Sequence, residues 1–495
     1  MAKKKFYITT AIDYVNAPPH IGHAYEKVIA DAIARWHRQK GEGVFFLTGT
    51  DENAQKNAKA AKEDGIGTQK FVNKNSQIFK QFCDTLKISY DDFIRTTEER
   101  HKKVSQLIFK KIYENEEIYL GNYSGIYCTG CEAFITEKEL VNEKCLEHNI
   151  KPEKINEESF FFKLSAYQED ILDAVSKKSF IVPDNRREEI VSRVKQEGLK
   201  DLSVSRLNID WGVPVPIDER HKIYVWLDAL VNYISALGYP DDKKYKKYWP
   251  ADVHVIGKGI NWFHTVIWPA LLMSAKIKLP KKVFVHGYLT VNGKKISKSL
   301  GNVIDPIKVS NKYGVDTLRY FLLREIPAQQ DGDFNEKALV ARLNGELADD
   351  LGNLLSRVVS MITKYFGGKV PNGKIDKELE YELSAQFEKA DKFIENLEVD
   401  KAVESVWGFI KTCNRYVNDK KPWENENRED ILYNLYEALR CIAILVNPFI
   451  PETSEKIAKQ LGLNKVGDFK ELKFKKTKAI VNKGEVLFQK VEWKK

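Results

Sequence analysis

Nowhere does this sequence stay apolar for the roughly 18 residues that a membrane-crossing helix needs, which excludes a helical membrane span. The opening Met1-Ala2-Lys3-Lys4-Lys5 leads directly into a strand-like segment without a signal-peptide core. Together these absences give the expectation of a cytoplasmic protein. Cysteine is scarce, six in 495 residues, too few for a disulfide scaffold. One-sided charge is missing as well. Lys+Arg 79 against Asp+Glu 70 leaves +9, a modest excess that suits a polyanionic partner without requiring one. There is no internal repeat. A hydrophobic content of 43% excludes a disordered or fibrous chain, and the length gives a prior of about three domains with real cores.

What is present begins with Phe6 to Ile12, apolar and β-rich enough for a buried parallel strand, which Asn16-Ala17-Pro18-Pro19 must end because proline lacks the ladder donor. From His23 to Lys40 the residues Ala24, Val28, Ile29, Ala32, Ile33 and Trp36 recur at helical spacing. Gly41 is placed to stop that helix, and Val44-Phe45-Phe46-Leu47 starts a second strand. The resulting βαβ unit points a helix N-terminus at the carboxyl edge of a sheet, where the dipole and unpaired N–H groups favour phosphate. His20 and His23 share the first turn and can donate to phosphate oxygens, with Gly22 leaving room for a nucleotide. A capping pair or a chance metal site would use the same two histidines. A second lysine-rich signal, Lys295-Ile296-Ser297-Lys298-Ser299, follows a strand over Val283 to Val291 and the turn pair Asn292-Gly293, and reads as a flexible loop.

Three cysteines and a histidine cluster as Cys128-x2-Cys131-x13-Cys145-x2-His148. Two ligand pairs on tight knuckles can wrap one tetrahedral zinc ion, whereas redox thiols would not need His148. Cys83, Cys413 and Cys441 sit in apolar helical contexts and read as packing residues.

His20-Ile21-Gly22-His23 after an N-terminal strand, combined with Lys295 to Ser299, resembles the HIGH and KMSKS signatures of class I aminoacyl-tRNA synthetases, with isoleucine replacing the methionine. The wider resemblance, from Phe6 to about Leu461, is to the methionyl-tRNA synthetase family. It is carried by Tyr14-Val15-Asn16, Leu47 to Glu52, the cysteine cluster, Tyr224 to Ala229, Ile256-Gly257-Lys258, Phe263-His264, Gly352 to Arg357 and Lys421-Pro422-Trp423. The resemblance implies an α/β fold: a Rossmann-type parallel-sheet catalytic domain with a zinc-binding connective insertion, followed by an all-α helical-bundle anticodon-binding domain. The expected division is catalytic 1–115 and 223–299, insertion 116–222, stem-contact linker 300–335, helical domain 336–465 and tail 466–495. An insertion of that length is too short for a second hydrolytic site, which argues against isoleucine, valine or leucine as substrate.

By resemblance, His20, His23, Lys295 and Lys298 are catalytic, and with Gly22 and Ser297 they bind ATP, whose phosphates carry Mg²⁺. Asp51 holds the methionine ammonium. Ile12, Tyr14, Trp226, Ala229, Tyr233, Ile260 and His264 line the methionine pocket, where aromatic rings suit a thioether. Asn353, Arg357 and Trp423 read the anticodon of tRNA(Met). The sequence departs from the family pattern at Asn53-Ala54, which stand for His-Gly, at Leu230 for proline, at Asp349 for Asn, and at Gly259 for the Asp of Gly-Lys-Asp-Ile, which contacts the adenylate. The tail is too short for the tRNA-binding module some relatives append, which leads to the expectation of a monomer. Another H-x-G-H nucleotidyltransferase would be far shorter, and a tRNA-binding module without activity would not need His20, His23, Lys295 and Lys298.

Overall fold

The structure is a computed structural model that describes residues 4–135, 137, 140–146, 150–207, 209–296 and 301–493. Its central sheet has seven strands, labelled here in chain order: β1 (Lys5–Thr10), β2 (Asp13–Tyr14), β3 (Gly43–Asp51), β4 (Asp92–Arg95), β5 (Ile181–Val182), β6 (Val253–Gly257) and β7 (Val283–His286). The path is β5-β7-β6-β1-β3-β2, with β4 also paired to β3, and every pairing is parallel. The order in which strands are added reverses at β1, which pairs with β3 on one side (Ile8 opposite Phe46) and β6 on the other (Thr10 opposite Val255). Such a switch point opens a crevice at the carboxyl ends of the strands.

Strand alternation sends side chains to two cores. Phe6, Ile8, Phe46, Val253, Val255 and Phe284 join the first helix, Ile21–Gln39, and the C-terminal helices on one face. Tyr7, Phe45, Leu47, Val283 and Val285 join Val225–Leu230, Trp268–Ser274 and the insertion on the other. The first helix is buried almost all round, so it carries ion pairs where an amphipathic helix would face water. Asp31 pairs with Arg319 at 2.7 Å, both side chains fully buried, and Arg319 also donates to the carbonyls of Leu86, Pro448 and Phe449. Trp36 Nε1 donates to Asp391 at 2.8 Å. These contacts lock the helical region onto the sheet, and removing one partner of such a buried pair costs about 3–5 kcal/mol.

The insertion is built on a long antiparallel pair, Ile118–Cys128 with Glu153–Phe162, which carries the cysteine cluster away from the sheet. Within 116–222, Ile181–Val182 returns to the central sheet beside Val283 and Phe284. The C-terminal region is helical from Glu336–Arg342 through Pro451–Gln460, interrupted after Asn353–Phe366 where Gly367 adopts φ +60°. The tail folds back on it: Ile480 bridges Lys369, and Val491 exchanges hydrogen bonds with the Asn344 side chain.

Three local expectations are corrected. The residue pattern from Gln69 to about Asn115 reads as helical throughout, but Asp92–Arg95 within it adds a strand to the sheet. The apolar run Ile223 to Ala229 reads as a returning strand, but Val225–Leu230 is helical, because such a run has no period that tells the two apart. The strand over Val283 to Val291 breaks at Gly287-Tyr288, where Asp331 and Gly332 bind the Tyr288 backbone and draw Leu289–Val291 into a separate sheet beside Gly332–Phe334.

Candidate active site and metal centre

The two signature histidines form a reciprocal cap at the start of the first helix. His20 Nδ1 accepts from the Gly22 N–H at 3.1 Å, His23 Nδ1 accepts from the His20 N–H at 3.0 Å, and the rings stack with centroids 3.9 Å apart. A Cβ on Gly22 would lie 2.9 Å from the His20 ring, so glycine is what lets the ring fold back. The Ile21 N–H is taken by the Ile304 carbonyl at 3.0 Å. The expectation that open backbone N–H groups face the anion is thereby revised, since the Ile21 and Gly22 N–H groups are bonded within the protein. Capping and phosphate binding are not alternatives, because a ring whose Nδ1 accepts from the backbone carries its proton on Nε2 and can donate from there. Burial, followed by the neighbouring Lys27 charge, holds His23 down at about 3, so it is a neutral donor. Lys27, itself buried, bonds the Ala11 carbonyl at 2.8 Å and pairs with Asp13 and Glu26 at 3.0 and 3.1 Å, while Glu26 meets His286 at 3.1 Å.

Lys295 lies on a hairpin, Leu289–Val291 with Lys294–Lys295, whose turn residues Asn292 and Gly293 both have positive φ. This matches the turn read from Asn-Gly. Ile296 packs on the first core, and Asn302 donates to the Lys295 carbonyl at 2.9 Å. Ser297 and Lys298 lie outside the described residues.

Beside β1 and β3, aromatic rings enclose a pocket. Trp226 stacks on Phe263 at 3.8 Å and stands nearly perpendicular to Tyr14 and to His264, at 6.4 and 6.3 Å. His264 Nδ1 donates to the Ile260 carbonyl at 2.9 Å, so its Nε2 accepts from the Tyr233 hydroxyl at 2.8 Å, and burial holds the ring neutral, down at about 4. Ile12 and Ile260 are half-buried against the same core, and Ala229 is buried on Val225–Leu230, where Leu230 fills core space. Asp51 ends β3 at this pocket, buried, with Oδ1 lacking any hydrogen-bond partner among the described residues. Burial, then the Asp228 charge, pushes its carboxyl well above the usual range. An orphaned buried carboxylate oxygen is costly unless a cation meets it.

Several residues here were not found from the sequence. Asp228 accepts from His101 at 3.0 Å and from the Asn53 amide at 2.7 Å, so Asn53 has a structural task where the family has histidine. Lys56 rests its ammonium 3.2 Å from the Tyr14 ring centroid and is lowered to about 8 by burial. Glu132, next to Cys131, accepts from the Lys56 N–H at 2.6 Å and from the Tyr127 hydroxyl at 2.6 Å, tying the cysteine knuckle to the pocket. The Phe263-His264 pair was visible in the sequence, but its stacking on Trp226 was not.

Cys128, Cys131 and Cys145 bring their sulfurs within 4.8 Å of one another, with Cys131 and Cys145 3.5 Å apart and no disulfide. Sulfurs held about 2.3 Å from one tetrahedral ion sit roughly 3.8 Å apart, so the cluster fits a metal. His148 lies outside the described residues.

In the helical region Arg357 sits 5.8 Å over the Trp423 ring and donates to Asn418 at 3.1 Å. Trp423 is 40% exposed, which excludes a core role, and Asn353 is exposed on the helix that carries Arg357. Asp349 pairs with Lys490 of the tail at 2.7 Å.

The chain matches the family model for class I tRNA synthetases (M) over residues 6–145 and 135–359, and that for the anticodon-binding domain of tRNA ligases over 376–493. A methionine–tRNA ligase from Caldanaerobacter subterraneus subsp. tengcongensis is 46% identical over 510 residues, covering 100% of this chain and 80% of the relative. The chain belongs to the methionyl-tRNA synthetase family. Another member, from Brucella melitensis, is 46% identical over 473 residues and 92% of each chain. Methionyl-tRNA synthetase of Mycobacterium tuberculosis in complex with methionyl-adenylate superposes with a TM-score of 0.93 at 39% identity, covering 98% of this chain and 99% of that one. The family's anticodon-binding model takes in most of the tail, consistent with its packing on the helices.

Proposed function

We propose that this protein is a methionine–tRNA ligase that works in two steps. A methionine carboxylate oxygen attacks the α-phosphorus of ATP, forming a carboxyl–phosphate bond and releasing pyrophosphate. A ribose hydroxyl at the 3′ end of tRNA(Met) then attacks the activated carbonyl, the hydroxyl proton is lost, and AMP leaves. No side-chain nucleophile is needed, so rate comes from positioning and from stabilising phosphate charge. His20 and His23 donate from Nε2, and Lys295 and Lys298 supply positive charge to the phosphates. Mg²⁺ entering with ATP neutralises further phosphate charge.

The observation that carries the amino-acid half is Asp51: a buried carboxylate whose Oδ1 has no hydrogen-bond partner among the described residues, beside the Tyr14, Trp226 and Phe263 rings, asks for an ammonium. Ile12, Tyr14, Trp226, Ala229, Tyr233, Ile260 and His264 surround that side chain in this reading. Cys128, Cys131 and Cys145, with His148, hold a structural zinc ion that folds the knuckle. Asn353, Arg357 and Trp423 receive the anticodon. The chain divides into catalytic 1–115 and 223–299, insertion 116–222, linker 300–335, helical domain 336–465 and tail 466–495, and acts as a cytoplasmic monomer. Methionine-dependent exchange of labelled pyrophosphate into ATP tests the first step. Exchange driven by a different amino acid in preference to methionine would overturn the substrate assignment.

A further inference from the structure

Gly259 opens a question that the rest of the site does not answer. It lies in Lys258–Ile260, the short turn leaving β6, and is the position of that turn without a side chain. A Cβ built on it would come 2.1 Å from the Tyr288 hydroxyl oxygen and 3.3 Å from the ring carbon bearing that oxygen. The volume a residue at 259 would use is thus filled by a hydroxyl delivered from the next strand, immediately after β7. Tyr288 is fixed there from two sides. Its backbone N–H donates to Asp331 at 2.9 Å and its carbonyl accepts from the Gly332 N–H at 3.0 Å. Lys258 stands 4.4 Å over the phenol ring while pairing with Asp331 at 2.6 Å. The ring nevertheless remains 36% exposed.

Position along the sheet edge says what this hydroxyl meets. The crevice lies between β1 and β6, with the His20–His23 cap at one side. Strands are spaced about 4.8 Å apart, so β7 lies about 10 Å from β1 along the carboxyl edge. A nucleotide whose phosphate is held at the cap and which lies along this edge brings its sugar over β6 and β7. We infer that Tyr288 is a nucleotide-contacting residue of this enzyme, with its phenol hydroxyl taking the place of a side chain at Gly259 and hydrogen-bonding a hydroxyl of the bound nucleotide's sugar. Gly259 and Tyr288 are then a matched pair, each tolerable because of the other. The inference rests on the ligase reading, since it needs ATP in this crevice.

The test is a double-variant cycle in methionine-dependent pyrophosphate exchange, with melting temperature as a folding control. Tyr288→Phe keeps the ring and removes the hydroxyl. Loss of one neutral hydrogen bond should raise KM for ATP about five- to tenfold and leave KM for methionine and the melting temperature near wild type. Gly259→Asp alone drives Cβ into the hydroxyl and should lower both ATP affinity and melting temperature. Gly259→Asp combined with Tyr288→Phe relieves the contact and should recover ATP affinity relative to Gly259→Asp. An unchanged KM for ATP in Tyr288→Phe, an equal rise for ATP and methionine, or a double variant no better than Gly259→Asp would each overturn the pairing. Wild-type protein without any methionine-dependent exchange would instead overturn the ligase reading beneath it.

Discussion

Replacing Asp51 by asparagine should damage methionine binding and strengthen the fold, two effects of opposite sign from one atom. Asp51 Oδ1 is buried without a hydrogen-bond partner among the described residues, and the Asp228 carboxylate nearby adds like-charge repulsion. Asp51→Asn keeps the shape and removes the charge, so relief of charge burial and of the Asp228 repulsion should stabilise the free protein by roughly 1 kcal/mol. A charge-assisted hydrogen bond to the methionine ammonium is worth about 1.5–3 kcal/mol, so KM for methionine should rise about 10- to 150-fold while KM for ATP changes little. The sign with pH follows from the raised carboxyl. Methionine prefers ionised Asp51, so binding releases a proton and affinity should increase with pH through the range where the free carboxyl titrates, a slope that Asp51→Asn should abolish. Pyrophosphate-exchange kinetics at several pH values and thermal melting without ligand measure both halves. An unchanged methionine KM, or a lower melting temperature in Asp51→Asn, would refute the claim that this carboxylate waits for a cation.

Trp423→Ala should cut tRNA aminoacylation at least tenfold, from loss of roughly 1–3 kcal/mol of base stacking, while pyrophosphate exchange and melting stay near wild type. A parallel fall in both reactions would move anticodon contact elsewhere. Purified protein should contain one zinc per chain, and Cys145→Ser should lose it; through Glu132, which bonds Lys56 beside Tyr14, the loss should also raise KM for methionine. Metal analysis without zinc in the wild type, or full occupancy after Cys128→Ser with Cys131→Ser, would remove the ligand assignment. His264 is neutral when buried and titrates at about 4, against about 6.5 when unfolded. The unfolded chain therefore binds the extra proton first as pH falls, and stability should drop between pH 6.5 and 4 by up to about 3 kcal/mol. Denaturation of His264→Asn across that window should show a shallower slope, and an identical slope would contradict the assignment.

The parts of the site legible in the sequence are those whose chemistry is local. His20, Gly22 and His23 sit within one helical turn, Asn292-Gly293 dictates its own hairpin, and the cysteine pairs carry their geometry in their spacing. What the sequence concealed depends on contacts between distant segments. Asp228 is satisfied by Asn53 and His101, which no spacing rule connects to it. Asp92–Arg95 is too short, and too charged at both ends, to read as a strand, and becomes one only because β3 offers it an edge. The apolar run around Trp226 reads equally as strand or helix, and packing against Phe263 goes with the helix. At Gly259 the sequence shows only a missing side chain, and the Tyr288 hydroxyl that occupies the space of its Cβ comes from a distant segment.

The most direct measurement of the central claim is ATP-dependent attachment of labelled methionine to the 3′ end of tRNA by the purified protein, with the other amino acids present unlabelled as competitors. The account expects charging to saturate at the methionine-acceptor fraction of total tRNA and to require ATP. Failure to charge that fraction, or charging of it with a competing amino acid in preference to methionine, would contradict it.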